Sequence, residues 1–367
     1  MKYYNRILTL IIIFTALYFT SCSEDYDYET DYSNVSRYIS VVANEGGTAQ
    51  ISKTKVNYNG EVTFTATPEE SYRFVNWSVN GERISSINPL VINVTSDMEV
   101  VAKFNKKITQ PLKILAIGNS WSNNATIYLN EILKDLGVES TIYTAIKGSG
   151  KLEDCYYNIL NNTKDYSIVI NGKYDKEFAN SYSISEILDI DDFDIITLQQ
   201  QSGNAGIYNT YQPYLNSVIK FIESKETNDP IIYFHSTWSY PKGCNHFDFN
   251  KYKNNSYIMY FSIMSTWRKA IKDEGIDKII PSTYTVQKVR EIEGIYDIDK
   301  PDGKHLSSNG CFAVGCVWAE TFIRELGLNK TIFELNYNPT SLSNTHFNLI
   351  KNIAFTAVER REIDYGF

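Results

Sequence analysis

The chain has 367 residues, which is long enough for two or three domains that each bury an apolar core. Its formal net charge of −8, its sequence pI near 5.2 and the lack of a basic stripe argue against a protein that binds nucleic acid. Aromatic residues are abundant, with 28 tyrosines and 18 phenylalanines. Such a composition is compatible with carbohydrate contact, but it is more often a property of the core and of half-buried surface.

The N-terminus predicts a targeting segment. Lys2 and Arg6 form a charged start, and the apolar stretch after them, ILTLIIIFTALYF, is short for a transmembrane helix. The sequence TSC that ends at Cys22 resembles a bacterial lipoprotein signal, although Phe19 stands where such signals usually carry an aliphatic residue. The resemblance implies that residues 1–22 are a signal peptide and that a lipid on Cys22 attaches the protein to a membrane. An ordinary cleaved signal is the alternative.

Residues 23–36 are polar, acidic and rich in tyrosine, and this composition predicts a flexible tether. CSED at the start of this segment resembles the surface-export signals of Bacteroides-type lipoproteins. The resemblance implies an outer-membrane lipoprotein, on the cell surface or on the periplasmic face.

The four cysteines beyond the tether could form disulfides in an oxidising compartment, but free thiols are the preferred interpretation. Cys311 and Cys316 are five residues apart in a predicted helix, so their side chains diverge around its axis and form a poor disulfide pair. No CxxC or Cys/His spacing indicates a zinc site, and we expect no metal. The four residues expected to be free are Cys155, Cys244, Cys311 and Cys316.

Residues 37–104 predict a small all-β domain. Segments such as EVTFTAT, YRFVNWSV and LVINVT alternate apolar and polar residues, and turn signals such as NYNG and VNGE separate them. GEVTFTATPEESYRFVNWSVNGE followed by NPLVINVTSDMEVVAKF resembles the divergent internalin B-repeat of bacteria. The resemblance implies a spacer or an adhesion-like module with Trp77 in its core.

After the linker KKITQPL, residues 112–367 predict an α/β domain. KILAIG, STIYTAI, DDFDIITLQQ and PIIYFHSTW are predicted strands, and helical patterns follow most of them, beginning with residues 124–136. A long segment rich in tyrosine and asparagine separates the second and third strands. Such alternation predicts a parallel sheet with helices on both faces, a three-layer α/β/α fold. Ligand sites in such sheets lie at the carboxyl ends of the strands, where Ser120, Gly148, Gln200 and Trp238 are predicted to lie.

Ser120 occupies the corner between the first of these strands and a helix. A serine hydroxyl is a weak nucleophile that needs a general base within hydrogen-bond reach and a group that orients the base. His305 lies in DGKHLSSNG, three residues after Asp302. In a compact loop this spacing lets the carboxylate accept the proton of Nδ1 while Nε2 faces outward. The other three histidines are His235, which follows a predicted strand, and His246 and His346, which we interpret as ordinary.

GNS after the first strand and DGKH before a late helix resemble the SGNH, or GDSL-like, hydrolases. Five segments in order resemble one subfamily of unknown function, the DUF4886 domain: ILAIGNSWS, LQQQSGNAG, FHSTWSYP, IIPSTYTVQKVR and DGKHLSSNGCFAVGC. The resemblance implies a flavodoxin-like fold. It also implies that Ser120 is the nucleophile, that His305 is the general base and then the general acid, and that Asp302 orients His305.

The oxyanion hole departs from the usual SGNH pattern. The Gly-x-Asn-Asp motif after the third strand is replaced by LQQQS, whose glutamine amide could donate as asparagine does. The family pattern selects Gln200 as this donor, and Gln199 and Gln201 stay open as alternatives. A second donor falls in KGSGKLE, where the N–H of either Gly148 or Gly150 fits, and the N–H of the serine completes the hole.

These features together predict a serine esterase that needs no metal or organic cofactor. The first expectation for the substrate is an acyl ester, above all an acetyl ester, on carbohydrate. His235 and Trp238 are weak candidates for substrate contact, and a packed histidine is the preferred interpretation of His235. The alternatives are a lipase or thioesterase of SGNH type, and a non-catalytic surface protein that binds glycans or acts in adhesion.

Overall fold

The computed structural model describes residues 35–361 except 175–181, 277 and 295–296. Cys22, the signal peptide and nearly all of the tether lie outside the described residues, so the lipid anchor stays a prediction. No helix in the described part of the chain has both the length and the apolar character that crossing a membrane requires.

The N-terminal domain consists of two packed β-sheets. One sheet has the strand order β3-β1-β8-β5-β6 and the other has the order β2-β4-β7. β1 and β8 pair in parallel, and the other pairs are antiparallel. The strands are β1 Ser36–Ala43, β2 Gly47–Ile51, β3 Lys55–Asn57, β4 Gly60–Pro68, β5 Tyr72–Val79, β6 Glu82–Ser85, β7 Leu90–Val94 and β8 Met98–Lys106.

Trp77 lies at the centre of this domain and is fully buried, as the sequence predicts. Its ring contacts those of Phe64 and Phe74, with centroids 5.8 and 5.1 Å away. Its indole N–H donates to the carbonyl of Ile87 at 3.0 Å, so the buried polar atom has a partner. The inward-facing residues of the alternating strands thus form a separate small core.

The second domain is built on a seven-stranded sheet with the order β12-β11-β10-β9-β13-β14-β15. Five neighbouring strands are parallel, namely β10, β9, β13, β14 and β15. At the edge, β11 pairs antiparallel with both β10 and β12. The strands are β9 Leu112–Gly118, β10 Ser140–Ile146, β11 Ser167–Ile170, β12 Lys173–Tyr174, β13 Ile195–Leu198, β14 Ile231–His235 and β15 Ile279–Ile280.

Helices cover both faces of this sheet, so the predicted three-layer α/β/α fold is confirmed. One face carries α1, α2, α7, α8 and α9, and the other carries α3, α4, α5 and α6. Their bounds are α1 Ser120–Thr126, α2 Leu129–Asp135, α3 Leu152–Asn161, α4 Ile184–Leu188, α5 Tyr214–Lys225, α6 Ser256–Glu274, α7 Ser282–Arg290, α8 Ser308–Glu325 and α9 Asn344–Glu359.

The structure differs from the sequence prediction in two places. The helix predicted over residues 124–136 is two short helices, and the first begins earlier, at Ser120, because the Asn119 side chain caps it. The tyrosine- and asparagine-rich segment contains α3, β11, β12 and α4. Within it, Ser183 and Glu186 form a capping box that begins α4.

The two domains contact each other at the amino ends of the parallel strands. Nε of Arg83 lies 2.8 Å from a carboxylate oxygen of Glu223, and the Arg83 guanidinium also donates to the carbonyls of Glu274 and Gly275. Asp229, just before β14, accepts from Lys103 and Asn105 of β8. The N-terminal domain therefore lies against the edge of the sheet opposite to the carboxyl ends.

The four cysteines of the described chain are free thiols, as expected. Cys155, Cys311 and Cys316 are buried in the second domain, and Cys244 is half-buried. Burial raises the pKa of Cys155 and Cys311 to about 12, so these thiols are chemically inert at neutral pH.

Candidate active site

Ser120 is half-buried at the carboxyl edge of the sheet, in a tight corner between β9 and α1. Gly118 ends β9, and a Cβ at this position would lie 2.4 Å from Oγ of Ser122 and 2.6 Å from Cδ of Gln199. Only glycine therefore lets the strand approach these side chains. Asn119 then caps α1, because its Oδ1 accepts from the N–H of Trp121 at 2.9 Å.

The sequence-predicted triad residues are brought together. Oγ of Ser120 lies 2.7 Å from Nε2 of His305. Nδ1 of the same ring lies 2.7 Å from Oδ2 of Asp302. Both are hydrogen-bond distances, and the two contacts use opposite nitrogens of one imidazole. When Nδ1 carries the proton of the neutral imidazole, Nε2 can accept a hydrogen bond from the serine hydroxyl.

Asp302 is held as a carboxylate by its own loop. Partial burial would raise the pKa of Asp302, but hydrogen bonds from the N–H and the ring of His305 and from the N–H of Lys304 outweigh this effect. They lower the pKa of Asp302 to about 2. Its Oδ1 accepts the two backbone N–H groups at 3.0 and 2.9 Å, which leaves Oδ2 directed at the imidazole.

Two contacts outside the triad fix the loop that carries Asp302 and His305. Arg290 of α7 binds both carboxylate oxygens of Asp299, at 2.6 and 2.9 Å, and donates to the carbonyl of Ser239. Oδ1 of Asn124 in α1 accepts from the N–H of Leu306 at 3.2 Å. Sequence reasoning missed both contacts, since neither adjoins a recognisable motif.

The loop after β10 places Gly148 and Gly150 differently. The N–H of Gly150 donates to the carbonyl of Lys147 at 2.9 Å and so closes a turn. The carbonyl of Gly150 accepts from Nδ2 of Asn119 at 3.0 Å, which ties this loop to the serine corner. A Cβ on Gly148 would meet no atom within 4 Å, so this glycine borders open space. The geometry favours Gly148 over Gly150 as an N–H donor.

The hydrogen bonds of Gln200 argue against its predicted oxyanion role. Its Nε2 donates to the carbonyl and the hydroxyl of Thr210, at 2.9 and 3.2 Å. Its Oε1 accepts from the N–H groups of Leu152 and Gln201. The amide nitrogen of Gln200 is therefore hydrogen-bonded to Thr210, and Gln200 connects α3 to the loop after β13.

The two neighbouring glutamines differ from Gln200. Oε1 of Gln199 accepts from the hydroxyl of Ser122 at 2.6 Å, and no acceptor in the described part of the chain lies within hydrogen-bond reach of its buried Nε2. Nε2 of Gln201 lies 3.3 Å from a carboxylate oxygen of Asp248. Among the three amides, that of Gln199 lies nearest to the serine corner by its contact with Ser122.

His235 and Trp238 are both fully buried, which corrects the weak expectation that they contact substrate. The ring of Trp238 stacks on that of Trp121 at 4.3 Å, and its indole N–H lies 3.3 Å from the carbonyl of Lys304. His235 points from β14 toward α8, where its ring contacts Trp318 at 4.9 Å. Both residues therefore pack in the interior below the site. The preferred interpretation of His235 as a packed histidine agrees with this position.

The fold and the corner serine define the class: an α/β/α protein with a Ser-His-Asp cluster at the carboxyl edge of a parallel sheet. The model of the family described as "Domain of unknown function (DUF4886)" matches residues 113–357, and the chain belongs to this family. The model described as "Divergent InlB B-repeat domain" matches residues 38–108. Both family resemblances inferred from the sequence are thereby confirmed.

Among solved structures, that of a DUF4886 family protein from Bacteroides uniformis is similar, with a TM-score of 0.62 and 30% identity over 68% of this chain and 95% of that one. A protein from Slackia heliotrinireducens, named as a candidate SGNH hydrolase, has a TM-score of 0.41 and 19% identity over 57% and 98%. The acetylxylan esterase Axe2 from Geobacillus stearothermophilus has a TM-score of 0.38 and 12% identity over 61% and 97%. The last two likenesses are too distant to bear on the activity of this chain. A search of curated proteins gave no match.

Proposed function

We propose that this protein is a serine esterase that removes small acyl groups, above all acetyl groups, from carbohydrate. The observation that carries the proposal is the pair of 2.7 Å contacts that joins the Ser120 hydroxyl to His305 and His305 to Asp302. A serine, a histidine and a carboxylate in this order form the constellation that activates a hydroxyl for acyl transfer.

In the first half of the reaction, Nε2 of His305 takes the proton of the Ser120 hydroxyl as Oγ attacks the ester carbonyl. Asp302 stabilises the imidazolium that forms, because its carboxylate already accepts from Nδ1. The imidazolium then gives its proton to the departing alcohol oxygen, and the acyl group is left on Ser120. In the second half, His305 activates a water molecule in the same way, and the carboxylic acid leaves.

The negative charge on the carbonyl oxygen needs donors that are fixed before the reaction. The N–H groups of Ser120, at the start of α1, and of Gly148 are our candidates. Neither Gln200, whose Nε2 contacts Thr210, nor Gln199, whose Nε2 is buried, is a side-chain candidate in this arrangement. Loss of one such donor typically costs on the order of 100- to 1000-fold in rate.

The surroundings of the serine support a small acyl group. Trp121, the residue after Ser120, is stacked on Trp238, and Tyr240 lies edge-on to Trp121 at 6.0 Å. These three buried rings pack against one another next to the nucleophile, which favours a small acyl group over the long chain that a lipase or thioesterase would bind. Asp302 and His305 are partly open to solvent, which suits a polar alcohol moiety such as a sugar.

The test is covalent labelling combined with turnover. The purified wild type should react with a fluorophosphonate probe and hydrolyse an aryl acetate, and the Ser120→Ala variant should do neither. The matched control is Ser122→Ala, which removes a buried hydroxyl on the same helix that binds Gln199 rather than His305. Equal turnover by wild type and Ser120→Ala would overturn the proposal and move the non-catalytic glycan-binding alternative ahead.

We also propose that the protein is held at the outer membrane by a lipid on Cys22, on the strength of the sequence TSC after the apolar stretch. Cys22→Ala should release the protein from membranes or leave its signal uncleaved, because the lipidated residue would be lost. Unchanged labelling of Cys22→Ala by a fatty-acid probe would contradict this proposal.

A further inference from the structure

The loop between β14 and α6, residues 236–255, borders the loop that carries the acid and base of the triad. The indole N–H of Trp238 points at the carbonyl of Lys304, next to His305. Farther along, Sγ of Cys244 would lie 3.4 Å from a Cβ placed on Gly303. This loop therefore forms one wall of the surface that a substrate of Ser120 would meet.

Phe247 in this loop is 76% exposed, the largest exposed fraction among the large apolar side chains in the part of the chain described by the structure. One side of its ring is supported by the ring of His246, with centroids 4.6 Å apart and planes inclined by 31°. His246 is itself held, since its Nδ1 lies 3.2 Å from the hydroxyl of Tyr240. Behind Phe247 the chain is anchored by buried Asp248 and Phe249.

A short series of ring contacts connects Phe247 to the nucleophile. Trp121 follows Ser120 in the chain, and centroid distances of 6.0, 5.2 and 4.6 Å lead from Trp121 to Tyr240, to His246 and to Phe247. Phe247 thus lies within three ring spacings of Trp121. A short oligosaccharide can span such a distance.

The surroundings of Phe247 are polar. Lys242, Asn245 and Asn250 are exposed in the same loop. A fatty acyl chain or a second protein would need a continuous apolar surface, and the exposed neighbours of Phe247 in this loop are polar. A pyranose combines an apolar C–H face with a rim of hydroxyl groups, and the face of an aromatic ring attracts C–H groups while amides and ammonium groups bind hydroxyls.

We propose that Phe247 is a stacking platform for a second sugar unit of the glycan that carries the acylated sugar. The proposal rests on the proposed esterase function and deepens it, because it makes the substrate a glycan chain rather than a monosaccharide ester. Phe247 makes no contact with the reacting atoms in this arrangement. It holds the glycan, so its contribution is to KM rather than to kcat.

The test uses chemically O-acetylated xylo-oligosaccharides of increasing length, with acetate release as the readout and p-nitrophenyl acetate as the reference substrate. For the wild type, kcat/KM relative to the reference should rise with chain length. In Phe247→Ala this rise should disappear, with about a tenfold loss on the longest substrate that comes from KM. Phe247→Trp should retain the rise. Phe261→Ala, which truncates a 65% exposed phenylalanine on α6, is the matched control and should behave as the wild type.

The outcomes separate this proposal from the one on which it rests. The platform proposal is overturned if the wild type hydrolyses p-nitrophenyl acetate but its kcat/KM does not rise with the length of the oligosaccharide. It is also overturned if the rise persists in Phe247→Ala. Both results leave the esterase proposal intact. An equal loss in Phe261→Ala also overturns the platform proposal, since the effect would then be one of general surface apolarity. Absence of hydrolysis of every ester, including the reference, counts against the esterase itself.

Discussion

Ser120 and His305 are 185 residues apart in the chain, yet Oγ of one lies 2.7 Å from Nε2 of the other. They meet because β9 ends at the corner before Ser120, and the loop that carries His305 returns to the same edge of the sheet before α8. The contact is also fixed by the backbone, since Asn124 of α1 accepts from the N–H of Leu306. Helix α1 and the histidine loop are therefore positioned as one unit.

The first prediction follows from this unit. Ser120→Ala and His305→Ala should each lower kcat for an aryl acetate by roughly a thousandfold or more, and the double variant should be little worse than either. Asp302→Ala should cost less, because an imidazole without its orienting partner can still accept a proton. Steady-state kinetics on variants with native circular dichroism is the measurement. Losses that multiply in the double variant would indicate that the two side chains act separately.

The second prediction concerns Asn119, which joins two parts of the site. Asn119→Asp keeps the oxygen that caps α1 but replaces the Nδ2 donor to the carbonyl of Gly150 with an acceptor. The loop that carries Gly148 should shift, and kcat should fall about tenfold with little change in KM. The free energy of unfolding should also fall, because Asn119 is buried and the new carboxylate oxygen would face the carbonyl of Gly150.

Asn130→Asp is the matched control for Asn119→Asp. Nδ2 of Asn130 also donates to a backbone carbonyl, that of Ser140, but this contact lies on α2 at the other end of β10. This variant should lose stability and retain the kcat of the wild type. If Asn119→Asp also keeps full kcat, the loop after β10 does not depend on the Asn119 donor.

The sequence was sufficient to predict which strands and which three side chains would meet. Ser120 is found by its position after an apolar strand, and Asp302 and His305 by a spacing of three residues that a single loop satisfies. Parallel strands then bring such loops to one edge. Each of these arguments depends on the local sequence and on one rule of topology, so it needs no knowledge of distant contacts.

The roles of the three glutamines could not be predicted from the local sequence. Gln199, Gln200 and Gln201 are consecutive and chemically identical, and they differ only in what lies opposite each amide. Thr210 satisfies the amide hydrogens of Gln200, and Ser122 donates to Gln199. Both partners come from segments whose position depends on the whole fold, and the same reason explains why the burial of Trp238 was not predicted.

The third prediction concerns the contact between the two domains. The linker near residues 105–111 is polar and contains Pro111, a composition that predicts few contacts between the domains. The structure instead places Arg83 in an ion pair with Glu223 and against two backbone carbonyls. Arg83→Ala should lower the free energy of unfolding by about 1–3 kcal/mol, because it leaves a half-buried carboxylate without its partner. Burial already raises the pKa of Glu223, so the charge is costly there.

The measurement is limited proteolysis at the linker, where Arg83→Ala should be cleaved faster than the wild type. Turnover of an aryl acetate should stay at the wild-type level, because the active site lies at the opposite edge of the sheet. Lys220→Ala is the matched control, since it removes an exposed ion pair with Glu82 of the same interface. Such a pair contributes only about 0–1 kcal/mol. Equal cleavage of Arg83→Ala and wild type would show that the domains are joined by other contacts.

The last prediction concerns His235, whose ring nitrogens are buried with no hydrogen-bond partner in the described part of the chain. Burial lowers the pKa of His235 to about 3 in the folded protein. In the unfolded chain a histidine titrates near 6.5, so between these values the unfolded state binds a proton that the folded state does not. Its contribution to stability is therefore complete above about pH 6.5 and is lost as the pH falls toward 3.

His235→Leu removes this titration and fills the site with an apolar side chain. The difference in free energy of unfolding between variant and wild type should therefore shift in favour of the variant by about 1.4 kcal/mol for each pH unit below 6. Urea unfolding at a series of pH values is the measurement. Phe234→Leu, a neighbouring buried strand residue without a titrating group, should differ from wild type by a constant amount. A constant difference for His235→Leu as well would mean that His235 binds its proton as readily in the folded protein as in the unfolded chain.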